Sequence, residues 1–142
     1  MKTRDEEKVK DKENIAQEQG KGYNYGGCII DWQNVWDRIE DEELIKEIAI
    51  DFLSENTERM KMLGLAINSM DLKRIIFYVH AIKGSASSIA AKEVTEAAYE
   101  LELASNKNER DRIEPLFDAL KKKFDALTAL LSIPDWIEKV KS

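Results

Sequence analysis

The sequence predicts an all-α protein: an up-down four-helix bundle with short accessory helices at its N- and C-terminal ends. From Ile29 onward, apolar residues recur every three or four positions, the period of an amphipathic helix, and the alternation typical of strands is scarce. Capping and breaking residues divide this region into segments joined by short connections. Four amphipathic helices connected in this way can bury their apolar stripes together.

The first two helices of the bundle are predicted from long apolar stripes. One helix begins near Glu42, and the polar segment SENTER in its middle weakens the stripe, so we expect part of this helix to project from the core. The segment NSMD then supplies caps for the next helix. The two stripes are Ile45, Ile48, Phe52, Met60, Leu63 and Ile67, and Leu72, Ile75, Ile76, Val79, Ile82, Ala86 and Ile89.

The boundary between the second and third bundle helices carries no glycine or proline. A single helix from Asp71 to Lys107 would have 37 residues, which is too long for a compact domain, and Gly84 comes too early to end it. We therefore predict a tight turn at residues 88–91. Pro115 is expected near the start of the fourth helix, where a missing N–H costs least. The last two stripes are Val94, Ala97, Ala98, Leu101 and Ala104, and Leu116, Leu120, Phe124, Leu127 and Leu131.

Two short helices are expected to flank the bundle. Asp31 is a suitable N-cap for a helix through Trp32 and Trp36, and Pro134 opens a terminal turn that carries Trp136. We expect the three tryptophans to be core or capping aromatics rather than a recognition surface.

Composition divides the chain into two parts. Residues 1–27 hold six acidic and six basic side chains, few apolar residues and a final pair of glycines. Such a segment buries too little surface to offset its ordering entropy, so we predict a disordered tail or linker followed by a helical domain over residues 28–142. The net charge of −6 therefore belongs to the domain, with 22 acidic and 16 basic residues.

Several classes of function are disfavoured by what the sequence lacks. No basic stripe interleaved with aromatics is present, so we expect no nucleic-acid binding. The single cysteine, Cys28, and the single histidine cannot form a structural zinc site, and we expect neither a metal nor a cofactor. No signal peptide or membrane-spanning run is visible, so we expect a cytoplasmic protein without direct membrane contact.

The only histidine, His80, lies beside the apolar stripe of its predicted helix. The stripe centres near Val79, which puts the imidazole about 100° away, on the shoulder of the helix. Lys83 neighbours His80 on the helix surface. Gly84 lies one helical turn after His80, within the helix, where glycine costs about 1 kcal/mol relative to alanine. That cost suggests that something must approach closely beside the imidazole.

This arrangement suits phosphoryl chemistry. A neutral imidazole nitrogen is a competent nucleophile near pH 7, and a lysine ammonium can stabilise phosphoryl oxygens. No nucleotide-binding glycine loop or second catalytic group accompanies them, so the chain has no visible means of binding ATP.

The segment HAIKGSASSIAAKEVTEAAYELE resembles the signature of histidine-containing phosphotransfer (HPt) domains of phosphorelays. That pattern has a histidine, a hydrophobic residue, Lys-Gly, small residues, and Leu-Glu on the following helix, and the resemblance covers roughly residues 31–131. The family usually has glycine where this chain has Ala90. The matching positions are Phe52, Leu53, Ala66, Asp71, His80, Ile82, Lys83, Gly84, Ser85, Ala86, Leu101 and Glu102.

The resemblance implies a role for each residue of the site. His80 Nε2 would attack the acyl phosphate on a receiver-domain aspartate, or return the phosphoryl group to one. Lys83 would help to neutralise the incoming charge, and Gly84 would leave room for the partner. Glu102, or a water that it holds, would accept the Nδ1–H and fix the tautomer. Magnesium would belong to the receiver. The chain would be a monomeric carrier without kinase activity, and its partners would be receiver domains of response regulators or hybrid sensor kinases.

Alternatives remain open at this stage. A helical interaction module that is never phosphorylated is one, although degenerate relatives of that kind lack the histidine; a stand-alone kinase or phosphatase is a more remote one. Lys73, Arg74 and Lys92 form either a basic rim for an acidic receiver cleft or an ordinary solvated face. The sequence leaves undecided the receiver, the direction of flow, and whether the chain is a free relay protein or part of a sensor kinase; the linker-like tail leans toward the latter.

Overall fold

The computed structural model describes residues 29–141. The predicted tail over residues 1–27 and Cys28 lie outside the described residues. No strand occurs among residues 29–141, in agreement with the all-α prediction. The helices are α1 (Trp32–Ile39), α2 (Glu42–Asn68), α3 (Leu72–Ser88), α4 (Lys92–Asn106), α5 (Arg110–Leu131) and α6 (Trp136–Lys141).

The four long helices form the predicted up-down bundle. Each packs against its neighbour in sequence, and α2 also packs against α5, which closes the ring. Most of the inward positions are apolar and almost inaccessible to water, and burying a large apolar side chain contributes about 1.5–3 kcal/mol. The largest of these side chains are Leu63, Ile75, Ile82, Leu101, Ile113, Leu120 and Leu127.

The polar middle of α2 does not project from the core. Asn56 is 0% exposed, and its Nδ2 donates to the carbonyl of Phe52 (2.9 Å) and to Ser85 Oγ of α3 (2.8 Å). Its Oδ1 accepts a hydrogen bond from Arg59 at 3.2 Å. A buried amide with its donors and acceptor paired is compatible with a core. The prediction that this part of the helix projects is therefore wrong.

The three connections within the bundle share one backbone geometry, which uses no glycine. In the α3–α4 turn, the N–H of Ala91 donates to the carbonyl of Ala86 and that of Ala90 to Ser87, each at 3.0 Å. This is the Schellman pattern, which usually places glycine at its left-handed residue. The predicted turn at residues 88–91 is confirmed. The left-handed residues of the three turns are Met70 (φ 49°), Ala90 (55°) and Asn108 (59°).

Pro115 lies further inside its helix than expected. The helix begins at Arg110, so Pro115 is in its second turn, where it gives up the hydrogen bond to the carbonyl of Asp111. The additional turn is anchored by Ile113, which is fully buried. Pro115 therefore lies near the helix start, as predicted, but beyond the first turn, where a missing N–H would have cost least.

Helix α1 is fastened to the α3–α4 turn. Asp31 caps it by accepting from the N–H of Asn34, and the N–H of Asp31 itself donates to the carbonyl of Ala90 at 2.9 Å. Arg38 donates to the carbonyl of Ser88 at 3.1 Å. The α3–α4 turn is therefore held from outside as well as by its own hydrogen bonds.

Helix α6 packs against α1 and lies close to the start of α2. Its Trp136 is buried, whereas Trp32 and Trp36 stack on each other at 5.9 Å between ring centroids and are half-buried. Lys141 Nζ lies 2.9 Å from Glu42 Oε2. Across residues 29–141, no helix combines the length and apolarity needed to cross a membrane.

Candidate functional site

His80 projects from the middle of α3 into solvent. Its neighbour Val79 is fully buried, whereas the His80 side chain is 68% exposed. The apolar stripe of α3 faces the bundle, so the next residue along the helix falls on the shoulder, as the sequence predicts. An imidazole placed in this way can meet a group on another protein without any movement of the helix.

Glu102 of α4 reaches across to α3 and bridges two of its side chains. Oε2 of Glu102 lies 2.7 Å from His80 Nδ1, and Oε1 lies 2.7 Å from Lys83 Nζ. A carboxylate accepts the Nδ1–H, so the neutral ring keeps its lone pair on Nε2. The structure therefore brings together three of the residues singled out from the sequence.

The carboxylate of Glu102 is kept ionised by these contacts. Burial of the group raises its pKa, but the hydrogen bonds and charges of Lys83 and His80 outweigh that effect, and the pKa falls below the ordinary value of 4.5. At neutral pH, Glu102 therefore presents a full negative charge to the imidazole.

Lys83 is more enclosed than the sequence suggests. Its side chain is 27% exposed, and its Nζ lies 5.4 Å from the centre of the Tyr99 ring in addition to its contact with Glu102. A cation over an aromatic face is a favourable arrangement. Sequence analysis missed Tyr99, although its spacing of three residues from Glu102 places both on one face of α4.

Gly84 lies one turn beyond His80. A Cβ built at this position meets no atom of residues 29–141 within 4 Å. Gly84 lines an open groove with residues of α1, α3 and α4, among them Arg38, Ser87 and Lys92. Packing among the described residues therefore does not explain a glycine here.

The possible basic rim is largely offset by acidic residues of the chain itself. Lys92 lies 3.4 Å from Asp31, and Arg74 lies 3.5 Å from Asp71, whereas Lys73 is exposed. Exposed pairs of this kind contribute little to stability. The arrangement favours the solvated-face alternative for Arg74 and Lys92.

Comparisons with known proteins identify the family and the fold. The family model of the Hpt domain matches residues 47–130. The fold is similar to that of histidine-containing phosphotransfer protein B (HptB) from Pseudomonas aeruginosa PAO1, with a TM-score of 0.64 and 21% identity over 78% of this chain and 91% of that protein. A putative histidine-containing phosphotransfer protein from rice gives a TM-score of 0.62 and 14% identity over 82% and 86% of the two chains.

No curated protein sequence matches the chain. The match to the Hpt domain nevertheless spans more than half of the 142 residues and includes His80, Lys83, Gly84 and Glu102. The chain therefore belongs to the Hpt domain family, whose function is phosphotransfer in phosphorelays.

Proposed function

We propose that His80 accepts a phosphoryl group from the aspartyl phosphate of a receiver domain and passes it to another receiver, or back to the same one. The observation that carries this proposal is the geometry of the single histidine, which is 68% exposed while its Nδ1 lies 2.7 Å from Glu102. That contact leaves Nε2 as the nucleophile on the open side of the ring.

The transfer balances without a proton leaving the site. The Nε2 lone pair forms the N–P bond while the P–O bond to the receiver aspartate breaks, and the electrons of that bond depart with its carboxylate. The Nδ1 proton stays on the ring, and the positive charge that develops faces Glu102. On return, a receiver carboxylate attacks phosphorus, the N–P electrons go back to Nε2, and the ring is again neutral.

The remaining residues of the site contribute space and charge. The open face at Gly84 gives room for the receiver to approach, and Glu102 offsets the positive charge that the ring gains. The phosphoryl group comes from the receiver, so the chain needs no ATP site and no resident metal; the magnesium ion belongs to the receiver. We propose a monomeric carrier of the cytoplasm, with a domain over residues 28–142 that follows a linker over residues 1–27.

The test is transfer from receiver domains labelled with radioactive acetyl phosphate. The parent chain should acquire label that is labile in acid and stable in alkali, whereas His80→Gln should acquire none, because it lacks the chain's only imidazole. His80 is exposed, so His80→Gln should change the free energy of unfolding by no more than about 0.5 kcal/mol.

Two outcomes would contradict the proposal. Label on the His80→Gln protein would mean that another residue is the acceptor. Receiver binding without any transfer to the parent chain would instead identify an interaction module that is not phosphorylated.

A further inference from the structure

The two oxygens of the Glu102 carboxylate contact two different residues of α3. One oxygen lies 2.7 Å from His80 Nδ1 and the other 2.7 Å from Lys83 Nζ. The Glu102 side chain is only 12% exposed, so water has little access to replace either contact. We call His80, Glu102 and Lys83 the bridged triad.

From this geometry we infer that Lys83 is a positioning residue, which acts on His80 through Glu102 rather than by binding the phosphoryl group. The inference rests on the proposed function of His80. It adds that the lysine fixes the orientation of the carboxylate, and that the carboxylate in turn fixes the plane and the tautomer of the ring.

The environment of Lys83 supports this role. The ammonium group already has a carboxylate oxygen at 2.7 Å and the face of Tyr99 at 5.4 Å. To contact a phosphoryl group on Nε2, it would have to leave the partly buried Glu102 carboxylate without its ionic partner, which is unfavourable. The ammonium is instead held by two groups of α4, so it is a fixed part of the site.

Lys83 is the lysine that interacts with the charge of Glu102 among the described residues. Among residues 29–141, the charged groups that shift the pKa of Glu102 are Lys83 and His80, both from α3. Helix α5, which packs on another side of α4, adds no such group. Without Lys83, Oε1 loses its ionic partner and the carboxylate is free to rotate away from Nδ1.

The experiment compares four proteins: the parent, Lys83→Met, Glu102→Ala and the double variant. Methionine keeps a long unbranched side chain and removes the charge. We expect each single variant to slow transfer roughly tenfold, an effect similar to that of losing a group that orients a metal-bound histidine. The double variant should be no slower than Glu102→Ala alone, because Lys83 has no effect without the carboxylate. A double variant slowed by the product of the two single effects would overturn the inference.

A second readout uses the chain without any receiver. The imidazole ¹⁵N chemical shifts of His80 should move in Lys83→Met but stay unchanged when the same substitution is made in the Glu102→Ala protein. Lys73→Met is the matched control, since Lys73 lies on the same helix and is exposed; it should leave the shifts unchanged. Unchanged shifts in Lys83→Met would overturn the inference. If neither the parent nor any variant took up label, the proposed function would fail. The chemical shifts would still decide whether Lys83 acts on His80 through Glu102 in the bridged triad.

Discussion

Helix α3 makes a polar contact on each of its two flanks, and the two contacts differ in burial and charge. Toward α2, Ser85 pairs with Asn56, a neutral amide that is 0% exposed. Toward α4, His80 and Lys83 pair with the Glu102 carboxylate, and His80 is 68% exposed. Both contacts join helices that otherwise meet through apolar side chains.

The difference separates stability from chemistry. A buried amide that loses its partner suffers the full penalty of desolvation, so the Asn56 contact favours one register of α3 against α2. A charged contact near the surface is screened by water and adds less to folding. It does, however, control how a reactive ring is held. The α2 flank therefore fixes where α3 lies, and the α4 flank fixes how His80 points.

The largest effect on folding is expected at the buried flank. Asn56→Ala leaves a cavity and leaves Ser85 without its donor, so the free energy of unfolding should fall by about 2–3 kcal/mol. Urea unfolding measures it, with Thr57→Ala, an exposed position one residue along the same helix, as the control. Phosphoryl uptake by the folded fraction should persist. Equal stability of the two variants would show that the amide does not fix the register.

A smaller effect, on transfer alone, is expected on the open face between the flanks. Gly84→Leu should leave the fold intact, since nothing lies within 4 Å of a Cβ there and leucine is the better helix former. A receiver that approaches this face would collide with the new side chain, so transfer should slow at least about tenfold, or ~1.4 kcal/mol. Gly84→Ala, which adds one methyl group, should slow it less. Equal rates for all three proteins would exclude the steric role of the glycine.

The smallest effect is expected in acid, at the α4 flank. The pKa of Glu102 in the folded chain lies below its ordinary value of 4.5, so its ionised form stabilises the fold above that pH, and this contribution is lost as the pH falls through the folded-state pKa. The stability difference between the parent and Glu102→Gln should therefore be constant above pH 4.5 and shrink below it. Glu100→Gln, an exposed position on the same helix, should show no such change. A difference that grows in acid would contradict the assignment.

Local signals in the sequence predicted most of the fold. The period of apolar residues and the aspartate caps act within one or two helical turns, so the starts of α1, α2 and α3 could be located from them. The burial of Asn56 could not be predicted in this way. A polar residue weakens an apolar stripe, and its compensating partner, Ser85, lies 29 residues away. The exact position of Pro115 in α5 could not be predicted from the proline alone. The helix begins before it, at Arg110, and its first turns include the buried Ile113.

The candidate site divides in the same way. The nucleophile, the nearby lysine and the glycine could be recognised from their spacing along one helix. Glu102 was singled out only through the family resemblance, because nothing in its immediate sequence distinguishes it from a solvated glutamate. Its contact with Lys83 depends on how α3 and α4 pack, which no local pattern encodes.

The alanine in the α3–α4 turn has a consequence for the stability of that turn. Ala90 adopts φ 55° and is 7% exposed. The left-handed backbone costs alanine about 1–2 kcal/mol. Against this, its buried methyl group returns about 0.8 kcal/mol, and avoiding the greater freedom of unfolded glycine returns a further ~0.4–1 kcal/mol. The two sides nearly cancel, so Ala90→Gly should change the free energy of unfolding little. A turn of this shape can therefore form without the glycine that usually marks it.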